Sequence, residues 1–132
     1  MIAFDTNVLV RFLVEDDARQ LNATLQALEE TTERGEQVLV TDVVLAELEW
    51  VLEAAYEVPR RRILAALQGL VQDGRFCFES PARLAIALHR YQHGKGDLSD
   101  YLLGSRGREC GADTTFTFDR ALRKDDLFTV LA

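Results

Sequence analysis

Between Gln37 and Thr41 the chain carries Val38, Leu39 and Val40 in unbroken succession. A strand with one wet face alternates apolar and polar residues, so an uninterrupted apolar run predicts a strand covered on both faces. Such strands belong to parallel sheets, whose crossover helices lie above and below them. The flanking sequence supplies those helices. Ahead of the run, Val8, Leu9, Val10, Phe12 and Leu13 mark a short helix over 7–14, interrupted by Glu15-Asp16-Asp17, and Leu21, Leu25 and Leu28 mark a second that ends near Gly35. Behind it, Val44, Leu45, Leu48, Leu52 and Ala55 follow helical spacing. Pro59 then starts another helix through Ile63, Leu67, Leu70 and Val71, stopped by Gly74.

The remaining segments repeat this alternation. Residues 1–5 read as the first strand, Arg75 to Glu79 as the third, Thr114 to Phe118 as the fourth and Phe128 to Leu131 as a short last one. Ser80-Pro81, a capping residue followed by a proline suited to a first helical position, opens a helix through Leu84, Leu88 and Tyr91 that frays at His93-Gly94. Asp97 opens the next, which runs towards Cys110-Gly111. Strands alternating with helices predict a doubly wound α/β domain. At 132 residues the chain fits a single domain, residues 1–132, large enough for its own core.

Composition narrows what such a domain does. The formal net charge of -7 argues against a protein that coats nucleic acid indiscriminately, since that binding rests on phosphate neutralisation by Lys and Arg. It leaves room for an enzyme that touches nucleic acid locally. The first residues include Asp5 and Arg11 rather than a basic segment and a long apolar run, so no secretory signal is expected and the expected location is the cytoplasm. No membrane span is expected either. Cys77 and Cys110 sit among apolar or small residues, which predicts two buried structural thiols rather than a disulfide framework.

Four acidic positions fall where strands end or helices begin: Asp5 after the first strand, Glu47 early in the helix after the second, Asp97 or Asp100 at a helix start, and Asp119 after the fourth strand. Right-handed crossovers between parallel strands place such ends along one edge of a sheet, where ligands of open α/β folds bind. Carboxylates brought that close repel one another unless a cation neutralises them. An all-oxygen site favours Mg²⁺ or Mn²⁺ over zinc. An ion so held can acidify water and stabilise the charge that builds on a phosphoryl group, which points to phosphodiester hydrolysis.

Phe4-Asp5-Thr6-Asn7, Val44-Leu45-Ala46-Glu47, Asp97-Leu98-Ser99-Asp100-Tyr101-Leu102-Leu103 and Phe116-Thr117-Phe118-Asp119 resemble, in order, the motifs of PIN-domain nucleases. Their order and the chain length are similar to the small VapC toxins of bacterial toxin–antitoxin modules, and the resemblance extends over essentially the whole chain. It implies a PIN-like three-layer α/β/α domain with a central, mostly parallel sheet. It implies a Mg²⁺- or Mn²⁺-dependent endoribonuclease, a homodimer, held inactive by a cognate VapB-like antitoxin and acting on structured RNA such as transfer RNA. Carried over by position, Asp5 and the third acid hold the metal, Glu47 and Asp119 complete the catalytic set, and Thr6, Asn7 and Thr117 hold the carboxylates by hydrogen bonds. The acid directly before the apolar trio, Asp100, is the third ligand by this resemblance, and Asp97 is the alternative, otherwise capping the helix or supporting it. Gly104-Ser105-Arg106-Gly107 departs from the alanines of such proteins and predicts close backbone packing.

Other features read more plainly. His89 and His93 are one helical turn apart with no acid between them and no third ligand evident, so exposed helix residues are expected rather than a zinc site. Arg106 and Arg120, with Arg108 and Arg123, lie near the acidic motifs and are candidates to position a phosphate. Trp50 is expected in the core or a dimer surface, and Glu49, Glu53 and Glu57 on a solvated face. Two rival functions remain at this stage. One is a phosphatase-like phosphoryl-transfer enzyme, which would need a second Asp where this chain has Asn7. The other is a catalytically silent PIN-fold binding module, against which the full acidic set argues.

Overall fold

Asp5 and Thr41 each end a strand and begin a helix, and that repeated junction organises the first part of the chain. In the computed structural model, which describes all 132 residues, two compact units are formed, Met1–Glu79 and Ser80–Ala132. The first contains β1 (Ile2–Ala3), α1 (Thr6–Val14), α2 (Ala18–Glu33), β2 (Val38–Val40), α3 (Asp42–Ala54), α4 (Arg60–Gln72) and β3 (Phe76–Phe78). Its strands pair in the order β1-β2-β3, all parallel, with Ile2 opposite Val38, and Val38 opposite Phe76. Val38 and Val40 are fully buried, as an apolar central strand requires.

The helices begin where side chains satisfy their first free N–H groups. Asp5 Oδ1 accepts from the Val8 N–H at 3.1 Å, Asp17 Oδ1 from Gln20 at 3.0 Å and Thr41 Oγ1 from Val44 at 3.3 Å. The first helix stops at Glu15, whose φ of 59° lies in the left-handed region. Pro59 is the N-cap of α4 rather than its first helical residue, and contributes no side-chain cap. Leucines at helical spacing fill the core: Leu45, Leu48 and Leu52 of α3 and Leu67 and Leu70 of α4 are buried, while the Phe4 and Phe12 rings meet Phe76 edge-on.

The second unit contains α5 (Pro81–His93), α6 (Leu98–Glu109), β4 (Thr115–Thr117), a 3-10 turn (Arg120–Leu122) and β5 (Phe128–Val130). Ser80 Oγ caps α5 by accepting from the Arg83 N–H at 3.1 Å, with Pro81 behind it. Strands β4 and β5 are parallel, Thr115 opposite Phe128, joined by a connection whose only regular piece is the 3-10 turn. All strand pairs are therefore parallel and the chain is α/β, with hydrogen-bonded pairing running in two sets, β1-β2-β3 and β4-β5. The close packing expected near Gly104 is present: a Cβ on Gly104 would lie 2.8 Å from the Phe128 ring.

Glu49, Cys77 and Cys110 differ from the sequence reading, and Trp50 departs from one of its two alternatives. Glu49 is buried, at 2% exposure, because it lies on the same stripe of α3 as Leu45, Leu48 and Leu52 rather than on a solvated face. Trp50, one residue on, points out of that stripe and is 66% exposed, so it is not a core residue. Cys77 is half-buried and Cys110 exposed, because Cys110 is the C-cap of α6 beside the turn at Gly111; both thiols are free. His89 and His93 are exposed as expected. No helix is long and apolar enough to cross a membrane.

Candidate functional site

In the first unit the parallel register fixes where acids can stand. Continuing the pairing of Ala3 with Leu39, which the Phe4 N–H to Leu39 carbonyl bond at 3.2 Å does, brings Asp5 level with Thr41 at the carboxyl ends of β1 and β2. Asp5 is exposed, and its Oδ1 is engaged by the Val8 N–H. A carboxylate offers about four lone-pair positions, so capping α1 leaves Asp5 free to bind a cation as well. Glu47 is exposed in the second turn of α3, and α3 packs against α1.

The expected supports of Asp5 are placed differently. Thr6 is buried in the first turn of α1 and Asn7 is exposed; the group that holds the Asp5 carboxylate is the Val8 backbone N–H, not either side chain. The reason is local: at an N-cap the amide three residues on points directly at the capping carboxylate. Asn7 instead lines, with Asp5, Arg11, Gln20 and Thr24, a cavity of about 280 Å³. Arg11 is fixed there by Gln20 Oε1 at 2.5 Å and Asp16 Oδ1 at 2.7 Å, with the Tyr56 hydroxyl bridging to Asp16 at 3.0 Å.

In the second unit three acids interact. Asp97 is the N-cap of α6 and forms a reciprocal capping box with Asp100, whose Oδ2 accepts from the Asp97 N–H at 2.9 Å. Asp97 is exposed and Asp100 half-buried. Burial is the main cause that pushes the Asp100 carboxyl above the ordinary Asp range; the Asp97 N–H bond opposes it, and repulsion from Asp97 and from Asp119 adds to it. Asp119 follows β4 and caps the 3-10 turn, its Oδ1 accepting from the Ala121 N–H at 2.9 Å. Thr117 Oγ1 accepts from the Asp119 backbone N–H at 3.1 Å, so Thr117 orients the Asp119 main chain rather than its carboxylate.

This donor set has a definite chemistry. Asp97, Asp100 and Asp119 offer oxygen only, and the repulsion that Asp97 and Asp119 exert on the Asp100 carboxylate is what a cation would relieve. Oxygen donors suit a hard divalent ion such as Mg²⁺, Mn²⁺ or Ca²⁺. The donor chemistry therefore fits a hard divalent cation. The candidate cations lie nearby in the chain: Arg106 is exposed and 3.7 Å from Glu109, Arg120 is the exposed first residue of the 3-10 turn, and Arg108 bonds the Asp126 carbonyl at 2.8 Å. His89 and His93 meet edge-on, ring centres 4.5 Å apart, and neither belongs to a close group of three potential metal ligands.

The buried Glu49 is the acid that sequence reasoning missed. The signal was present: its offset of four from Leu45 puts it within the apolar stripe, where a charge is uncommon and requires partners.

Comparison with known proteins bears on the whole arrangement. The chain is 27% identical over 130 residues to a protein named VapC ribonuclease from Aquifex aeolicus (strain VF5), covering 98% of this chain and 96% of that protein. No solved structure matches. Residues 2–126, which contain Asp5, Glu47, Asp97, Asp100 and Asp119, match the family described as PIN domain, and the chain belongs to that family.

Proposed function

We propose that this chain is a divalent-metal-dependent endoribonuclease of the VapC type, its residues 1–132 acting as one PIN domain. The observation that carries the reading is the Asp97, Asp100 and Asp119 group, in which charge on Asp100 is disfavoured by burial and by its acidic neighbours. Membership of the PIN family and similarity to a VapC ribonuclease support it from outside the geometry.

In this reading Asp5 and Asp100 hold the ion, Glu47 and Asp119 complete the catalytic set, and Asp97 serves as the cap of α6. The half-burial of Asp100 against the exposure of Asp97 favours that order over the reverse. When bound, Mg²⁺ or Mn²⁺ supplies positive charge against the phosphoryl oxygens on which negative charge accumulates. The chain's own groups preset the site. The Val8 N–H holds the Asp5 carboxylate, the Asp97 N–H holds that of Asp100, and Thr117 with the Ala121 N–H fixes Asp119. Holding the acids before substrate arrives removes reorganisation from the reaction. Arg106 and Arg120 are assigned to the RNA phosphates.

The same reading carries the partners of such toxins: a structured RNA substrate, transfer RNA among the candidates, a VapB-like antitoxin that covers the acids, a homodimeric assembly and a cytoplasmic location. It is tested by incubating the purified chain with labelled total transfer RNA in Mn²⁺, in Mg²⁺ and in chelator. Discrete cleavage that needs the ion and disappears in Asp5→Ala and Asp100→Ala supports it. Cleavage equal in chelator, or equal in both variants, counts against it.

A further inference from the structure

We propose that a basic cavity in the second unit is a docking site for single-stranded RNA, holding nucleotides beside the acids of that unit. The proposal rests on the nuclease reading and assigns the strand-binding surface that the reading leaves open.

The cavity, of about 900 Å³, lies between the outer face of α5, the loop before α6 and the end of the 3-10 turn. A volume of this size is in the range of small-ligand sites of about 300–1,000 Å³ and admits a nucleotide. Its charge runs opposite to that of the chain. The protein as a whole has a net charge of -7, yet the cavity wall carries Arg90, Lys95, Arg123 and Lys124 against Asp125 alone. Arg90 is already engaged, bonding Asp125 Oδ1 at 2.9 Å and Asp126 Oδ1 at 2.5 Å. Lys95, Arg123 and Lys124 are exposed and make no ion pair, although acids are abundant in this chain. Three uncompensated cations around one concavity fit a polyanion.

The cavity is also shaped and fixed. Lys95 stands between Gly94 and Gly96, and neither glycine tolerates a side chain: a Cβ on Gly94 would strike the Tyr101 hydroxyl, and one on Gly96 would strike Leu122. The Tyr101 hydroxyl, on a buried ring, accepts from the Gly96 N–H at 2.8 Å and ties the loop down. Ile86, 49% exposed, gives an apolar wall, and His89 packed edge-on against His93 gives an aromatic one. Apolar and aromatic walls suit bases, which stack on such surfaces, whereas an acidic peptide needs only the cations.

The cavity is continuous with the acids along the chain. Lys95 precedes Asp97 by two residues, and Ala121, which lines the cavity, donates its N–H to Asp119 Oδ1 at 2.9 Å. The acids do not line the cavity themselves, but Lys95 and Ala121 place its rim next to Asp97 and Asp119 along the chain.

The experiment measures the full chain in EDTA against a fluorescent 2′-O-methyl decanucleotide of mixed sequence, which binds without being cut, by anisotropy over a range of salt. Lys95→Ala combined with Lys124→Ala is compared with the control Arg19→Ala combined with Arg34→Ala, two exposed cations at the two ends of α2. The cavity pair is expected to weaken binding about tenfold and to reduce the log–log salt slope by about 1.4, two phosphate contacts on a single strand. The control pair is expected to leave the slope unchanged, and the cavity pair to raise KM for RNA cleavage with little change in kcat. Equal affinities and slopes for wild type and the cavity pair, or an equal loss in the control, overturn the docking site. Displacement of the oligonucleotide by polyglutamate at lower concentration than by unlabelled RNA overturns it in favour of an acidic protein partner. Intact cleavage with no contrast counts against this surface alone, whereas absence of cleavage with the contrast preserved counts against the nuclease reading alone.

Discussion

The backbone N–H of Asp97 donates to Asp100 Oδ2 at 2.9 Å, so one acid holds the carboxylate of the other across the first turn of α6. That bond orients Asp100 without neutralising it. Burial and the charges of Asp97 and Asp119 still push its carboxyl above the ordinary Asp range. Fixed in place and short of a counter-charge, Asp100 has the properties of a ligand awaiting a cation.

Stability should report this directly. An acid whose pKa is higher in the folded state than in the unfolded state favours folding while protonated, and loses that advantage as pH rises through the folded value. At neutral pH the metal-free protein therefore carries a penalty at Asp100. Asp100→Asn keeps an oxygen for the Asp97 N–H and removes the charge. Thermal melts in EDTA should place this variant at or above the wild type, while the rise that Mn²⁺ produces in wild type should be lost. A variant that melts lower in EDTA yet gains as much from Mn²⁺ contradicts the assignment.

Much of this was legible in the chain because the signals are local. The Val38–Val40 run and the leucine spacings locate strands and helices, and an Asp or Thr between strand and helix marks a cap. Partner choice was less legible. Thr6 and Asn7 directly follow Asp5 in sequence, yet the Val8 amide takes its carboxylate, because helical geometry aims that amide at the cap. Glu49 was hidden by its neighbours: Glu49, Glu53 and Glu57 follow a helical step that reads as one solvated face, and only the leucine stripe separates the first from the others. The division of the strands into two hydrogen-bonded sets depends on pairing between distant segments, which no local pattern encodes.

A second prediction concerns acid sensitivity. Asp73 accepts from the Arg75 Nε at 2.9 Å and from its terminal nitrogen at 2.6 Å, and these bonds are the main cause that holds its carboxyl below the ordinary range. A lowered folded-state pKa contributes stability that is present above the unfolded value and lost as pH falls through the folded one. Asp73→Asn should cost about 1 kcal/mol in urea unfolding at pH 7. Repeated below the ordinary Asp range, the same comparison should show a much smaller difference. A cost independent of pH would assign the effect to packing.

At Gly104 two effects oppose each other. Alanine in a helix interior gains about 1 kcal/mol over glycine, but its Cβ would lie 2.8 Å from the Phe128 ring and 3.3 Å from Leu127 Cβ. Overpacking of this kind costs about 1–3 kcal/mol. Gly104→Ala is expected to destabilise, and Phe128→Leu in the same chain to recover part of the loss relative to Phe128→Leu alone. A stabilised Gly104→Ala would mean that the ring yields freely.

Thr117 gives a prediction about positioning. Its hydroxyl accepts from the Asp119 N–H, so Thr117→Val keeps the shape and removes the acceptor. A lost hydrogen bond of about 1 kcal/mol corresponds to roughly a fivefold fall in kcat with KM little changed. Thr117→Ser should retain most of the rate. A loss in Thr117→Ser with the rate retained in Thr117→Val would indicate that the methyl group, not the hydroxyl, matters.

The most direct measurement of the central claim is Mn²⁺ titration of chelator-treated protein, following ion binding by calorimetry and RNA cleavage on the same samples. The account predicts that binding and cleavage rise over the same Mn²⁺ range, and that Asp5→Asn and Asp100→Asn lose both while remaining folded. Cleavage undiminished in chelator, or ion binding and cleavage unchanged in the two variants, would contradict it.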